Sequence, residues 1–187
     1  MKKLQNTHKA RVESIKNEGV DYESRTVYLF GDVTEERAAV LCPALQVLDG
    51  PEPITLQIFS GGGQATVGLA IYDCVRAMTA PVTTMGFGEV MSAAALIFQA
   101  GDRRVLRPNT SLLFHDVYGF HQGDQRLTVA DATRARREIV SLGKRCRDIL
   151  QARSGLSAAA VKRICAAERE MWPEEAVRLG LADEVIS

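Results

Sequence analysis

The sequence predicts an α/β fold of repeated βαβ units around a mostly parallel sheet, with one long helix protruding from it. Three observations point there. Short β-rich runs alternate with helical patterns in units of about 25 to 30 residues, the spacing of right-handed crossover connections. The β-rich runs give way to glycine or turn residues before the chain resumes at helical spacing, as at Phe30-Gly31-Asp32 and Ser60-Gly61-Gly62-Gly63. From Leu127 to Arg153 the chain is a single polar-rich helical pattern, with apolar residues at Val129, Ala132, Ile139, Leu142, Ile149 and Leu150. The bulk composition agrees. The 187 residues are 46% hydrophobic and 25% charged, with 23 Lys+Arg against 23 Asp+Glu, as in an ordinary single globular domain. No run of about 18 apolar residues offers a membrane span. The zero net charge gives no electrostatic reason to expect nucleic acid.

The elements follow in order. Met1–Arg25 has no apolar core of a secretory signal and reads as an arm, partly mobile or a short helix, preceding a domain over 26–187. Thr26–Phe30 is a strand. Thr34–Leu48 is helical, with Thr34 as N-cap and two glutamates in the first turn, and Pro43 should kink it or end it early. Ile54–Phe59 is the next strand, followed by the glycine turn and a helix over about 66–78. Pro81–Gly86 reads as a strand, Ser92–Gln99 as a short apolar helix, and Arg104–Leu106 and Ser111–Phe114 as two further strands. After the long helix, Ser157–Ala167 and Pro173–Leu179 are helices, the second stopped by Gly180, and Glu184–Ile186 is a last short strand.

The four cysteines (Cys42, Cys74, Cys146, Cys165) have no C-x-x-C spacing and no neighbouring histidine, so no metal site and no cofactor is expected. Free thiols suit a reducing cytoplasm. Three features could carry chemistry. Glycines at 61–63, between a strand and a helix, let backbone N–H groups turn toward a ligand oxygen, although a tri-glycine is also a plain flexible turn. Ser92 opens an apolar helix after a strand, which makes it either an N-cap or a nucleophile with the Ala93 N–H beside it. Its surroundings, with Val90 and Ala94, lack the G-x-S-x-G elbow of α/β-hydrolases. Of the three histidines, His8 lies in the arm and His121 in a glycine-rich loop. Only His115 is delivered by a strand to its end, as a general base or as a structural histidine. No lysine lies between Lys16 and Lys144, which argues against a serine–lysine dyad.

In order and spacing these features resemble the proteolytic subunit of the Clp protease, from about Val27 to Ile186. The residues that carry the resemblance are Leu29-Phe30-Gly31, Ile58-Phe59-Ser60-Gly61-Gly62-Gly63 and Gly68–Asp73. They continue with Gly88-Glu89-Val90-Met91-Ser92-Ala93-Ala94-Ala95, Ala100-Gly101, Pro108–His115 and Glu174–Asp183. The resemblance implies a ClpP/crotonase-like fold and a serine endopeptidase. Ser92 would be the nucleophile, His115 its base, and the Gly63 and Ala93 N–H groups the oxyanion hole. It also implies a third, acidic member. An ungapped count places Glu168 there, whereas a local match on Glu168–Trp172 would choose Glu170. The helix over 127–153 would be a handle joining heptameric rings or double rings around a chamber. Unfolded polypeptide would be the substrate, and an AAA+ unfoldase ATPase a possible partner.

The sequence departs from the family in several places. Gly61 replaces the usual proline, Ala93-Ala94 replace a methionine and glycine, and the loop around Gly119–Gln125 is longer. The arm is also unlike the usual pore-lining segment, which bears on whether an ATPase docks. Two other readings accompany the peptidase. One is a catalytically impaired structural subunit of a mixed ring. The other is a crotonase-like protein that binds an acyl thioester without a serine nucleophile.

Overall fold

The computed structural model describes residues 2–119 and 128–187; His121, most of the long loop around it and Leu127 lie outside these. The amino-terminal segment is helical over most of its length, as α1 (Lys2–Glu18), and then enters the sheet as β1 (Val20–Asp21). Arg11 holds the two together, donating to Asp21 at 2.6 and 3.0 Å and to Glu23 at 2.8 Å. β1 runs antiparallel to β2 (Thr26–Phe30). From there α2 (Glu35–Leu48), β3 (Ile54–Ser60), α3 (Ala65–Arg76), β4 (Val82–Met91), α4 (Ser92–Phe98) and β5 (Arg103–Leu106) alternate. β6 (Ser111–Leu113) precedes α5 (Val129–Ser154), α6 (Ala158–Ala167), α7 (Pro173–Arg178) and β7 (Glu184–Val185).

The seven strands form one sheet in the order β1-β2-β3-β4-β5-β7, with β6 also paired to β4, and every pairing after β1–β2 is parallel. Alternation along β2 and β3 turns Val27, Leu29, Leu56 and Ile58 into the core, against Leu41 and Leu45 of α2 and Ile71 of α3. The opposite face carries Tyr28, Phe30, Phe59 and Phe87, whose rings contact one another with centroids 5.3 to 6.4 Å apart. Phe30 and Phe59 are exposed there. A parallel sheet is normally covered on both faces.

Two expectations are corrected. Of the two outcomes expected at Pro43, a kink or an early end, the early end is excluded, since α2 runs on to Leu48. Pro43 and Ala39, the residue whose carbonyl loses its partner to the proline, both lie on the exposed side, where the carbonyl is accessible to solvent. β4 does not stop at Gly86 but continues to Met91. Its register with β3 jumps from Ile58↔Gly86 to Ser60↔Val90, so two residues of β3 face four of β4. This bulge, containing Gly88 at φ +62°, redirects the second half of β4. The first half pairs with β5 at Thr83–Gly86 and the second with β6 at Glu89–Met91. Phe87 to Met91, which lie beyond the strand expected from the sequence, thus belong to β4.

The carboxyl-terminal elements are fixed by Arg104, only 6% exposed. It donates to Gln99 Oε1 at 2.7 Å, Gly180 O at 2.9 Å and Asp183 Oδ1 at 2.5 Å, joining α4, β5 and the end of α7. Arg153 near the end of α5 donates to the carbonyls of Gln99 and Gly101 at 2.8 and 2.6 Å. Among the described residues the opposite end of α5 has no such ties: residues 129–138 are exposed apart from half-buried Asp131. A Thr128–Asp131 capping box satisfies the backbone there. No described helix is long and apolar enough to cross a membrane.

Candidate active site

The bulge in β4 decides where two side chains emerge. β4 and β6 are adjacent and parallel with Met91 opposite Leu113, so Ser92 leaves the sheet beside Phe114 and His115 follows one residue later. Both come off the carboxyl ends of neighbouring strands, the end at which open α/β sheets bind ligands. Ser92 is not an N-cap. Met91 occupies that position, and Ser92 is the first helical residue with φ +55°. A non-glycine residue in that region carries about 1–3 kcal/mol of strain and persists only where its surroundings fix it.

The glycine turn is shaped around this serine. A Cβ on Gly62 (φ +106°) would stand 2.6 Å from Ser92 Cβ and 2.9 Å from the Met91 carbonyl oxygen. A Cβ on Gly63 (φ +150°) would stand 2.4 Å from the Val33 carbonyl oxygen. Only glycines let the turn lie against both. Val33 N–H donates to Gly62 O at 2.8 Å and Gln64 N–H to Val33 O at 2.9 Å, while Gly62 N–H donates to Ser60 Oγ at 3.1 Å. Among the described residues the Gly63 N–H has no protein acceptor.

Ser92, Ala93, Gly63 and His115 line one cavity of about 500 Å³, with Leu96, Phe114, Leu150, Cys146 and Cys165 forming its apolar wall. Ser92 and His115 share this cavity without a direct hydrogen bond between them. Nδ1 of His115 lies 2.6 Å from the Asp116 carbonyl oxygen. Since a carbonyl only accepts, Nδ1 carries the proton and Nε2 is left as the lone-pair nitrogen. The imidazole also stacks on Tyr118, with centroids 4.4 Å apart and planes 11° from parallel. The Asp116 carboxylate is taken by Arg147 of α5.

Neither acidic candidate lines the cavity. Glu168 and Glu170 are both exposed. Glu168 sits at the end of α6 with φ +46°, and its carboxylate lies toward the Tyr118 phenol, whose pKa it raises, with a smaller upward contribution from burial. Glu168 therefore meets the stacked tyrosine, and the proton on His115 Nδ1 goes to a backbone carbonyl instead. The Glu170 carbonyl accepts from Arg169 at 3.3 Å.

Sequence reasoning missed several residues around the site. Asp116 and Arg147 are 31 positions apart, and nothing in either segment announces the pair. Cys146 and Cys165 come from two helices, and burial raises the pKa of both thiols, that of Cys165 to about 11. Tyr118 could have been found, because an aromatic residue three positions after the candidate base is close enough to fold back onto it.

A glycine turn packed on a strained serine, with a histidine from the next parallel strand, defines the class as a ClpP/crotonase-type α/β fold carrying a serine-centred cavity. The Clp protease family model matches residues 9–187, and the chain belongs to that family. Among solved structures it is similar to a point mutant of ClpP1 from Listeria monocytogenes, with 25% identity and a TM-score of 0.79. That match covers 89% of this chain and 93% of the other. The protein is a ClpP-like peptidase in family and fold.

Proposed function

We propose that the protein is a serine endopeptidase that cleaves unfolded polypeptides or peptides through an acyl-enzyme. The observation that carries this is the meeting of strained Ser92, His115 with its proton held on Nδ1, and Gly63 and Ala93 in one cavity. In the reaction Ser92 Oγ attacks the carbonyl carbon of the scissile bond while His115 Nε2 takes the hydroxyl proton. Negative charge develops on the carbonyl oxygen, which the Gly63 and Ala93 N–H groups receive. The intermediate collapses, the C–N bond breaks, and His115 returns the proton to the leaving amine. Water then attacks the ester with the same base and releases Ser92. The direct Ser92–His115 hydrogen bond forms with substrate in place, as catalytic contacts tighten in the Michaelis complex. Glu168, the acid that the family resemblance implies, does not meet Nδ1, so in this reading the Asp116 carbonyl orients the histidine.

The polypeptide would be cut inside a ring or double ring of copies of this chain. Two features support assembly: the aromatic sheet face of Phe30, Phe59 and Phe87, and the exposed first half of α5, where Val129 and Val140 are 85% and 58% exposed. Apolar surface of this kind is usually buried by a partner. An AAA+ ATPase feeding the chamber, and a cytoplasmic setting for four free thiols, complete the proposal.

The test is labelling with a fluorophosphonate. A covalent adduct on Ser92, abolished in Ser92→Ala and His115→Ala, is the expected result, with peptide turnover falling by about 10⁴-fold or more. A second reading, a structural subunit without hydrolytic activity, is favoured by one observation: a backbone carbonyl, rather than a carboxylate, receives the Nδ1 proton. An assembled ring with no adduct at Ser92 would establish that reading and end the first.

A further inference from the structure

The end of β6 hands His115 to a stretch of chain that the sheet does not hold. β6 stops at Leu113, and among the described residues no backbone–backbone hydrogen bond involves His115, Asp116, Val117 or Tyr118. The Asp116 carbonyl is nonetheless the acceptor of the proton on His115 Nδ1, at 2.6 Å. The Tyr118 stack fixes the plane of the imidazole, and this hydrogen bond fixes its rotation within that plane, hence the direction of Nε2. A carbonyl in unpaired chain can orient a ring only if its own residue is held. The hold comes through the side chain: Arg147 of α5 donates from Nη1 to Asp116 Oδ1. Arg147 is itself well anchored. It lies between Gly143 and Leu150, the buried residues of α5, and Arg153 further along ties that helix to the Gln99 and Gly101 carbonyls. A Cβ on Gly143 would stand 3.3 Å from the same Nη1, so the guanidinium lies over a position where no side chain competes for its place. Asp116 and Arg147 both line the cavity that holds Ser92 and His115. Their side chains are 45% and 31% exposed, and an ion pair so open to water adds little to stability. What it supplies is geometry.

We propose that Arg147 is a positioning residue of the peptidase reaction: by holding the Asp116 carboxylate from α5, it fixes the backbone carbonyl that orients the His115 imidazole. The proposal rests on the peptidase reading above and deepens it. Arg147 acts only through Asp116 and His115. A small misplacement of the base slows proton transfer from Ser92 without changing how the substrate binds. The effect therefore belongs to kcat and leaves KM alone.

The experiment measures kcat and KM on a fluorogenic peptide with the full chain in its native assembly, comparing Arg147→Ala, Arg147→Lys, Asp116→Ala, Asp116→Asn and the double variant Asp116→Ala/Arg147→Ala. Melting temperatures check that each variant folds, and they are expected to stay close to wild type because the pair is partly exposed. Arg147→Ala and Asp116→Ala are each expected to lower kcat about 10-fold or more at constant KM. The double variant is expected to be no slower than the slower single one, because both changes break the same link. Arg147→Lys and Asp116→Asn keep a donor and an acceptor, and each is expected to recover part of the rate lost in its alanine variant. Wild-type kcat in Arg147→Ala, losses that multiply in the double variant, or a rise in KM with kcat unchanged overturns the proposal; the last would make Arg147 a substrate contact. Ser92→Ala and His115→Ala separate the two levels. If they keep wild-type turnover, the peptidase reading falls and takes the role of Arg147 with it. If they abolish turnover while the Arg147 variants run at full rate, only the role of Arg147 is lost.

Discussion

Gly62 offers the sharpest test of how the fold builds its site. Replacing it with alanine puts a methyl group 2.6 Å from Ser92 Cβ, 2.9 Å from the Met91 carbonyl oxygen and 3.1 Å from Ser92 Oγ. The nearest obstacles include backbone, so the turn and the serine must move apart. The residue also sits at φ +106°, where an L side chain is strained whatever the space. Overpacking of this kind costs about 1–3 kcal/mol and the backbone strain about 1–3 kcal/mol more. Together these predict about 2–6 kcal/mol and, at about 2–4 °C per kcal/mol for a chain of this length, a fall in Tm of roughly 4–24 °C. Gly61 is the control one position earlier. A Cβ there meets only Glu89 Oε2, at 4.0 Å, and its φ is not in the left-handed region. Scanning fluorimetry and fluorophosphonate labelling should find Gly61→Ala close to wild type in both stability and rate. Gly62→Ala should melt lower and label slowly, because the serine has been pushed from the line joining it to His115 and Gly63. Equal melting and equal labelling for the two variants would refute the idea that this turn is glycine because of its contact with Ser92.

Three other outcomes follow from particular residues. Ser92→Gly removes the positive-φ penalty at position 92 together with the hydroxyl, so it should raise stability by about 1 kcal/mol while abolishing labelling; an unchanged or lower Tm would contradict the strain. Burial works to raise the Asp183 pKa, but hydrogen bonds from Arg104 outweigh it and hold the group below its ordinary value of 3.8. Its contribution to stability is therefore complete above that ordinary value and is lost as the pH falls through the lowered folded value. Asp183→Asn should lower stability by about 2 kcal/mol at pH 7, less than for a fully buried pair because the Asp183 side chain is 39% exposed. The variant should also flatten the acid limb in denaturant titrations at successive pH values, and a wild-type acid limb would exclude Asp183 as its source. The Cys165 thiol, raised to about 11 from 9.0, should react with a disulfide reagent at pH 8 about 100-fold more slowly than an unperturbed cysteine, and mass mapping that shows early modification there would contradict its burial.

The amino-acid order was enough to locate most of the frame and to point to Ser92, His115 and the glycine turn. Those signals are local: alternation in Ile54–Ser60, the Thr34 cap, which accepts from Arg37 as expected, and a glycine run placed after a strand. The reading failed where a long-range partner overrode a local preference. The expected strand stops at Gly86, but β4 continues past it, because Gly86 is paired with Ile58 of β3 and Leu106 of β5 and residues 89–91 are paired with β6. The same bulge sets the Met91↔Leu113 register, which brings positions 92 and 115 to one cavity. Whether Ser92 was a cap or a strained first residue depended on that register too. The surroundings of His115 were beyond the sequence for the same reason: Arg147 takes Asp116 from 31 positions away, and Glu168 reaches Tyr118 from 50 positions away. Periodicity, caps and glycine turns are written in neighbouring residues, so the sequence by itself determined the elements and the types of group available for chemistry. Strand register and contacts between distant segments belong to no local stretch of chain, so only the tertiary structure decided which of those groups face one another.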